Sequence, residues 1–236
     1  MKAHSLLRIS FLLFFLIVLC TAGFSQSKKE KKQAAKTMNA GMYDGTESEE
    51  AMKFYMTGVK YSQVRDFKKA IKYYKKSLKY DDKFVEAYDN IGVCYRNLGD
   101  FKKAEEYYLK SIELYPNGKM AHMNLGLLYR IQRDYDKAVN EYDKLKEIDP
   151  DDPESYYGVI IIYIELKKYD LAIENGRKAV EIYEATDHPY LSDAQYFLGL
   201  SYYYNNEDDN ARIYIQQAKD NGMDIPAEIS KELNIK

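Results

Sequence analysis

Residues 88–116 read YDNIGVCYRNLGDFKKAEEYYLKSIELYP, and this stretch decides the fold. Tyr88, Ile91, Gly92 and Tyr95 recur at i, i+3, i+4 and i+7, one face of a helix, and Ala104, Tyr108 and Ser111 make a second such face. Leu98-Gly99-Asp100 interrupts the pattern between them. The unit is therefore a helix, a tight turn and a second helix. The same unit recurs on both sides. Gly58, Gly92 and Gly126 are spaced by 34, as are Ala70, Ala104, Ala138 and Ala172 and also Tyr61, Tyr95, Tyr129 and Tyr163. Two small-residue columns and one aromatic column in register mark a repeat architecture.

The chain resembles the tetratricopeptide repeat (TPR) family, whose 34-residue helix pair carries aromatic-x2-apolar-Gly-x2-Tyr, then Ala, an aromatic four residues later, and Pro. Repeat two fills every element, with Tyr88 in the place where Trp is common, and repeat three does so from His122 through Gly126 and Tyr142 to Pro150. Repeat one has Asp82 in the proline column. Repeat four has Ile160 for glycine and Gly176 for the aromatic. The resemblance implies that these two columns face each other, so the change reads as a volume-conserving exchange. A fifth, degraded unit contains Leu198, Gly199 and Tyr202. The expected fold is all-α, a right-handed α-solenoid of about five helix pairs with a C-terminal capping helix. Its units are 51–84, 85–118, 119–152, 153–191 and 192–222, and the cap is 223–236.

Two local features accompany the repeats. Ala172 and Ala211 are 39 apart, five more than the period, and the surplus is placed in the loop Ala185–Leu191, with Asp187 capping an elongated following helix. That loop reads as a length variation. In the last segment Asp224 is the expected N-cap, Pro226 suits a first turn, and Ile225, Ile229 and Leu233 recur every four residues.

The N-terminus has three parts. Lys2, His4 and Arg8 precede the apolar run Ile9–Leu19, and small residues follow, with Gly23 and Ser25 placed for cleavage before Gln26. This is the pattern of a secretory signal peptide, residues 1–25, and implies an exported, periplasmic or secreted protein. Two alternatives stand beside it. The five lysines at 28, 29, 31, 32 and 36 allow a membrane anchor at residues 9–24 with a cytoplasmic body. Cys20 invites lipidation, although Leu19 precedes it where a bacterial lipobox has a small residue. Residues 26–50, basic then acidic, read as a flexible charged tether, so membrane contact is confined to residues 1–36.

Composition limits the function. The formal net charge is −2 among 31% charged residues, which supplies no field for nucleic acid. Three His, two Cys and 12 Gly leave little material for a metal site, a nucleophile–base pair or a phosphate loop. Neither catalytic residue, metal nor cofactor is expected. Acids such as Glu141, with Lys137 as an i,i+4 partner, read as solvated faces. Cys94 is the one thiol left after signal removal and reads as a small buried helix residue.

Binding fits better. In TPR proteins the first-helix residues off the packing face line a concave groove, and the resemblance carries that role onto Tyr55, Arg96, Met120, Met123, Leu127 and Arg130. It continues through Tyr157, Ile161, Ile164, Tyr196, Leu200 and Tyr203. Asn90 and Asn124 either fix a peptide backbone or bond within the helix pair. Tyr55 and Val59, or Asp89 and Val93, occupy the columns in which the family's clamp for C-terminal carboxylates has Lys and Asn, which argues against that clamp. The implied function is a non-catalytic adaptor for a protein or peptide segment. The competing reading is a subunit of an envelope assembly, or a homo-oligomer, whose groove is filled by the protein itself.

Overall fold

A computed structural model describes Tyr43 and residues 45–235. The signal-peptide and lipidation expectations, and most of the expected tether, lie outside the described residues. Among these there are eleven helices and no strand. Ten pair as α1 (Glu49–Gln63) with α2 (Phe67–Ser77), α3 (Val85–Asn97) with α4 (Phe101–Leu114), α5 (Lys119–Ile131) with α6 (Tyr135–Ile148), α7 (Pro153–Glu165) with α8 (Tyr169–Ala185), and α9 (Leu191–Tyr204) with α10 (Asp208–Asp220). The last, α11, is Ala227–Glu232. Each second helix packs on the next first helix, and α3, α5, α7 and α9 also touch in succession. First helices therefore share the inner side of an α-solenoid.

The spacing within a pair is set by a glycine facing a ring sixteen residues on. A Cβ on Gly58 would lie 2.6 Å from the Tyr74 ring, one on Gly92 2.5 Å from Tyr108, and one on Gly126 3.1 Å from Tyr142. Gly158 is a further approach: its Cβ would lie 2.2 Å from the other side of Tyr142. In the fifth pair Ile215 takes the ring's place against Gly199, at 2.5 Å. Repeat four inverts the pattern, and Ile160 is fully buried. The neighbour that closes on Gly176 is Leu198 of α9, whose Cδ1 would lie 3.0 Å from an added Cβ. The space beside Gly176 is thus closed by the next repeat, where the sequence suggested a local exchange with Ile160.

The turns within the pairs share one device. Arg65, Gly99, Arg133, Lys167 and Asn206 all have φ between 57° and 78°, the left-handed region that reverses the chain in the fewest residues. Only one of the five is glycine. Asp66 and Asp100 then cap the second helices by accepting from Lys69 N and Lys103 N.

Four expectations are corrected. The surplus residues of repeat four lengthen the preceding helix α8 to 17 residues, and Asp187 is not a cap but sits at φ 49° in the turn; Tyr190 is the N-cap of α9. Asp224 caps nothing, because α11 begins after Pro226 without a side-chain cap. Its segment instead buries Ile225 and Leu233 in the core cluster of the last repeats, and Arg212 Nε donates to Leu233 O at 2.8 Å. Glu141 is buried rather than solvated and meets His122 Nδ1 at 2.7 Å and Lys144 Nζ at 2.8 Å, while Lys137 pairs with Asp134. Burial would raise the Glu141 carboxyl, but the hydrogen bonds from His122 and Lys144 outweigh it and hold it below its ordinary range. Finally, the tether ends sooner than position 50. Helix α1 starts at Glu49, Ser48 Oγ accepts from Ala51 N at 3.2 Å, and Thr46 Oγ1 donates to Asp81 at 2.5 Å.

Overpacking at Gly176 is directly testable. Gly176→Tyr is expected to lower unfolding free energy by about 2 kcal/mol, read by urea titration, because the ring must displace Leu198. An unchanged midpoint and slope would contradict the packing described.

Candidate functional site

The N-terminal ends of the inner helices converge on a pocket of about 710 Å³. Glu86 comes from α3, Lys119, Met120 and Met123 from α5, Asp152 and Glu154 from the start of α7, and His188 and Tyr190 from the loop before α9. Met120 is 49% exposed and lines the pocket. The floor is held rigidly. Lys119 Nζ bridges Asp149 at 2.8 Å and Asp152 at 3.1 Å, and Asp152 also caps α7 by accepting from Glu154 N at 3.0 Å. Tyr183 OH donates to Glu154 at 2.6 Å, and the Tyr183 ring stacks on His188 with centroids 4.6 Å apart. Burial, reinforced by the Glu154 carboxylate, pushes the Tyr183 phenol well up, so it stays a hydrogen-bond donor. The lengthened α8 thereby delivers His188 and Tyr190 to the pocket, and the loop expected to be a mere length variation forms one of its walls.

Tyr43 forms another wall. Its hydroxyl donates to Asp89 Oδ2 at 2.5 Å and lies 3.3 Å from Ser111 Oγ, and its ring meets Tyr115 edge-on at 5.5 Å. A Cβ on Gly118 would lie 2.7 Å from that ring, so the absent side chain makes the room. Asp89 is 5% exposed and Ser111 fully buried. Burial raises the Asp89 carboxyl to about 6, the Tyr43 hydrogen bond pulling only part of the way back.

The expected groove residues divide by place. Met120 and Met123 line the pocket. Leu127 and Arg130 are half-buried further along α5. Arg96 is committed, donating from Nη1 to Asn124 Oδ1 at 3.2 Å. Tyr55 accepts from Asn90 Nδ2 at 2.9 Å, and the same amide donates to Glu86 O at 2.9 Å. Asn90 and Asn124 each bond to the preceding repeat, Asn90 through Tyr55 and the buried Asn124 through Arg96, where the sequence offered a peptide-backbone contact or a bond within one helix pair. Tyr157, Ile161, Ile164, Tyr196, Leu200 and Tyr203 are all half-buried. They are less open than expected, because Tyr157 packs against Tyr183 and Phe197, and Tyr196 against Phe197. Burial raises Tyr157 to about 12. Tyr203 hydrogen-bonds Glu232 of α11, which raises its phenol and turns it toward the C-terminal segment. Cys94 is fully buried, and burial pushes its thiol to about 11. Among the described residues no group of His, Cys, Asp or Glu is placed to hold a metal ion, and no helix is long and apolar enough to cross a membrane.

Models of the tetratricopeptide repeat match residues 61–84, 85–117, 120–152 and 151–221. The chain belongs to the TPR family. No curated protein matches it. Similar solved structures include MamA, 26% identical over 70% of this chain and 93% of that one, with a TM-score of 0.60. A TPR protein described as having an unusual peptide-binding site, YrrB, is 19% identical over 78% and 91% with a TM-score of 0.58. Pseudomonas aeruginosa pilF is 18% identical over 79% and 85%, with a TM-score of 0.68. These likenesses are to the solenoid. A TPR chain is a protein-interaction scaffold.

Asp89 makes the site pH-sensitive in a defined direction. Its pKa is raised from 3.8 in the unfolded chain to about 6, so the stability enjoyed below pH 4 is lost as pH rises through 6. Two units correspond to about 3 kcal/mol. Asp89→Asn, which still accepts from Tyr43, is expected to match wild type at pH 4 and exceed it by up to that amount at pH 7.5 in chemical denaturation. Parallel curves at both pH values would contradict the burial assigned to the carboxylate.

Proposed function

We propose that this TPR chain is a non-catalytic adaptor of the cell envelope that holds a peptide or protein segment in the concave groove, with Met120 and Met123 at the centre of the contact. The observation that carries the reading is the pocket of about 710 Å³ at the inner helix ends, with exposed methionine beside fixed carboxylates. Methionine adapts to varied apolar shapes, and a concave, largely apolar recess with a few oriented polar groups suits a side chain of an extended segment. Export is part of the same proposal and rests on the charged, apolar and small-residue pattern of residues 1–25, with cleavage near Gln26. The peptide-binding site named for YrrB lends the groove plausibility as a class of surface, not as a particular ligand.

A self-filled groove is the second reading, and Tyr43 is the observation that favours it, since a residue upstream of the repeats already forms a pocket wall. Affinity purification of the tagged full-length chain from its native envelope fraction, beside Met123→Lys, separates the two. The adaptor reading predicts a companion lost from the variant, with both proteins folded and of the same size by light scattering. Equal companions in both samples would end it, and a variant that changes oligomeric state would favour self-filling.

A further inference from the structure

The Tyr43 contact is unlike the rest of the fold. Helix α1 carries its own cap, Ser48, and so does not need Tyr43 to begin. Among the described residues, the backbone of 43 and 45–47 makes no hydrogen bond to the backbone of the repeats; side chains attach it, the Tyr43 hydroxyl and ring and the Thr46 hydroxyl among them. The receiving side is, by contrast, built. Asp89 is more than nine-tenths buried, its second oxygen Oδ1 has no hydrogen-bond partner, and Ser111, Tyr115 and Gly118 frame a slot of the width of one ring. A buried carboxylate that destabilises the fold at neutral pH is a feature of binding sites more than of scaffolds.

We infer that Asp89, Ser111, Tyr115 and Gly118 form a recognition socket for a tyrosine side chain, closed in the free protein by Tyr43 and occupied by a tyrosine of the bound segment when Tyr43 leaves. The inference deepens the adaptor reading and rests on it for the partner, but not for the socket itself. The chemistry selects the ligand. Asp89 demands an O–H or N–H donor, since an apolar group there would leave a buried anion with Ser111 as its remaining hydrogen-bond donor. Tyr115 and the missing side chain at Gly118 demand a flat ring between them. Phenylalanine supplies the ring without the donor, and serine the donor without the reach. A phosphorylated tyrosine would bring its charge against the Asp89 carboxylate and is rejected. Because Tyr43 also borders the pocket beside Met120, a segment lying in the groove meets the socket without any rearrangement of the helices.

The probe is p-cresol, the tyrosine side chain as a free molecule, with toluene and 4-methylanisole as the ring without a donor. Each is titrated into the full-length chain, Tyr43→Ala and Tyr43→Phe, following binding by calorimetry and melting temperature. Tyr43→Ala is expected to bind p-cresol at millimolar concentration and at least about tenfold more tightly than either control, the factor corresponding to one hydrogen bond to a charged group. Wild type, whose slot is full, is expected not to bind, and Tyr43→Phe, whose ring occupies the slot without the donor, to bind p-cresol more weakly than Tyr43→Ala. Adding Asp89→Ala to Tyr43→Ala is expected to abolish the preference for p-cresol. Equal binding of the three probes to Tyr43→Ala, equal binding of p-cresol to wild type, or no binding to a Tyr43→Ala chain of normal helical spectrum would each overturn the socket. None of these outcomes bears on the Met123→Lys comparison, so the socket and the adaptor reading fail separately.

Discussion

The close approach of a backbone to a ring is the constraint on which the rest of the structure depends. Where Gly58, Gly92 and Gly126 face Tyr74, Tyr108 and Tyr142, no atom can be added on the glycine side without moving the ring, so the two helices of a pair sit at one separation. Repetition of that separation every 34 residues makes the first helices share a side. Their N-terminal ends then fall together, and the pocket is the space those ends leave. Packing inside the repeats and the position of the pocket are one fact seen at two scales.

A second layer of the structure works against stability. The junction of repeats two and three buries Asp89, with its raised carboxyl, close to His122 and Glu141, whose hydrogen bond is satisfied on both sides: His122 Nε2 also lies 2.9 Å from Pro116 O. The His122–Glu141 pair replaces the aromatic contact that its column carries elsewhere and is internally compensated. Asp89 is compensated in part, by hydrogen bonds from Tyr43, a residue outside the helix pairs, and from Ser111, and by the nearby His122. One polar group serves the stack and the other serves the pocket.

The fold is legible in the sequence because its information is periodic. Gly92, Ala104 and Tyr95 each have equivalents 34 residues away, and three columns in register are enough to define a helix pair. The pocket is legible in part, through residues such as Met120 and Met123 that occupy groove columns. Tyr43, His188 and Tyr190 belong to no informative column, since one lies before the repeats and two lie in a loop. Asp89 does stand in a groove column, but nothing in the periodicity says that Tyr43 buries it. The signal that the sequence does carry is the five-residue surplus between Ala172 and Ala211, which lengthens α8 and carries the loop inward. Glu141 escapes sequence reasoning for a related reason, since an i,i+4 lysine says nothing about a histidine brought over it from the neighbouring helix.

If the glycine–ring approach sets the pair separation, the two facing positions of one repeat must be energetically coupled. The most direct measurement is a double-mutant cycle of Gly58→Ile and Tyr74→Gly by urea unfolding. The account predicts that each single change destabilises and that the double change recovers at least about 1 kcal/mol relative to their sum, as expected for residues in contact. Strict additivity would mean that the two positions do not sense each other, and the account of how the helices are spaced would be wrong.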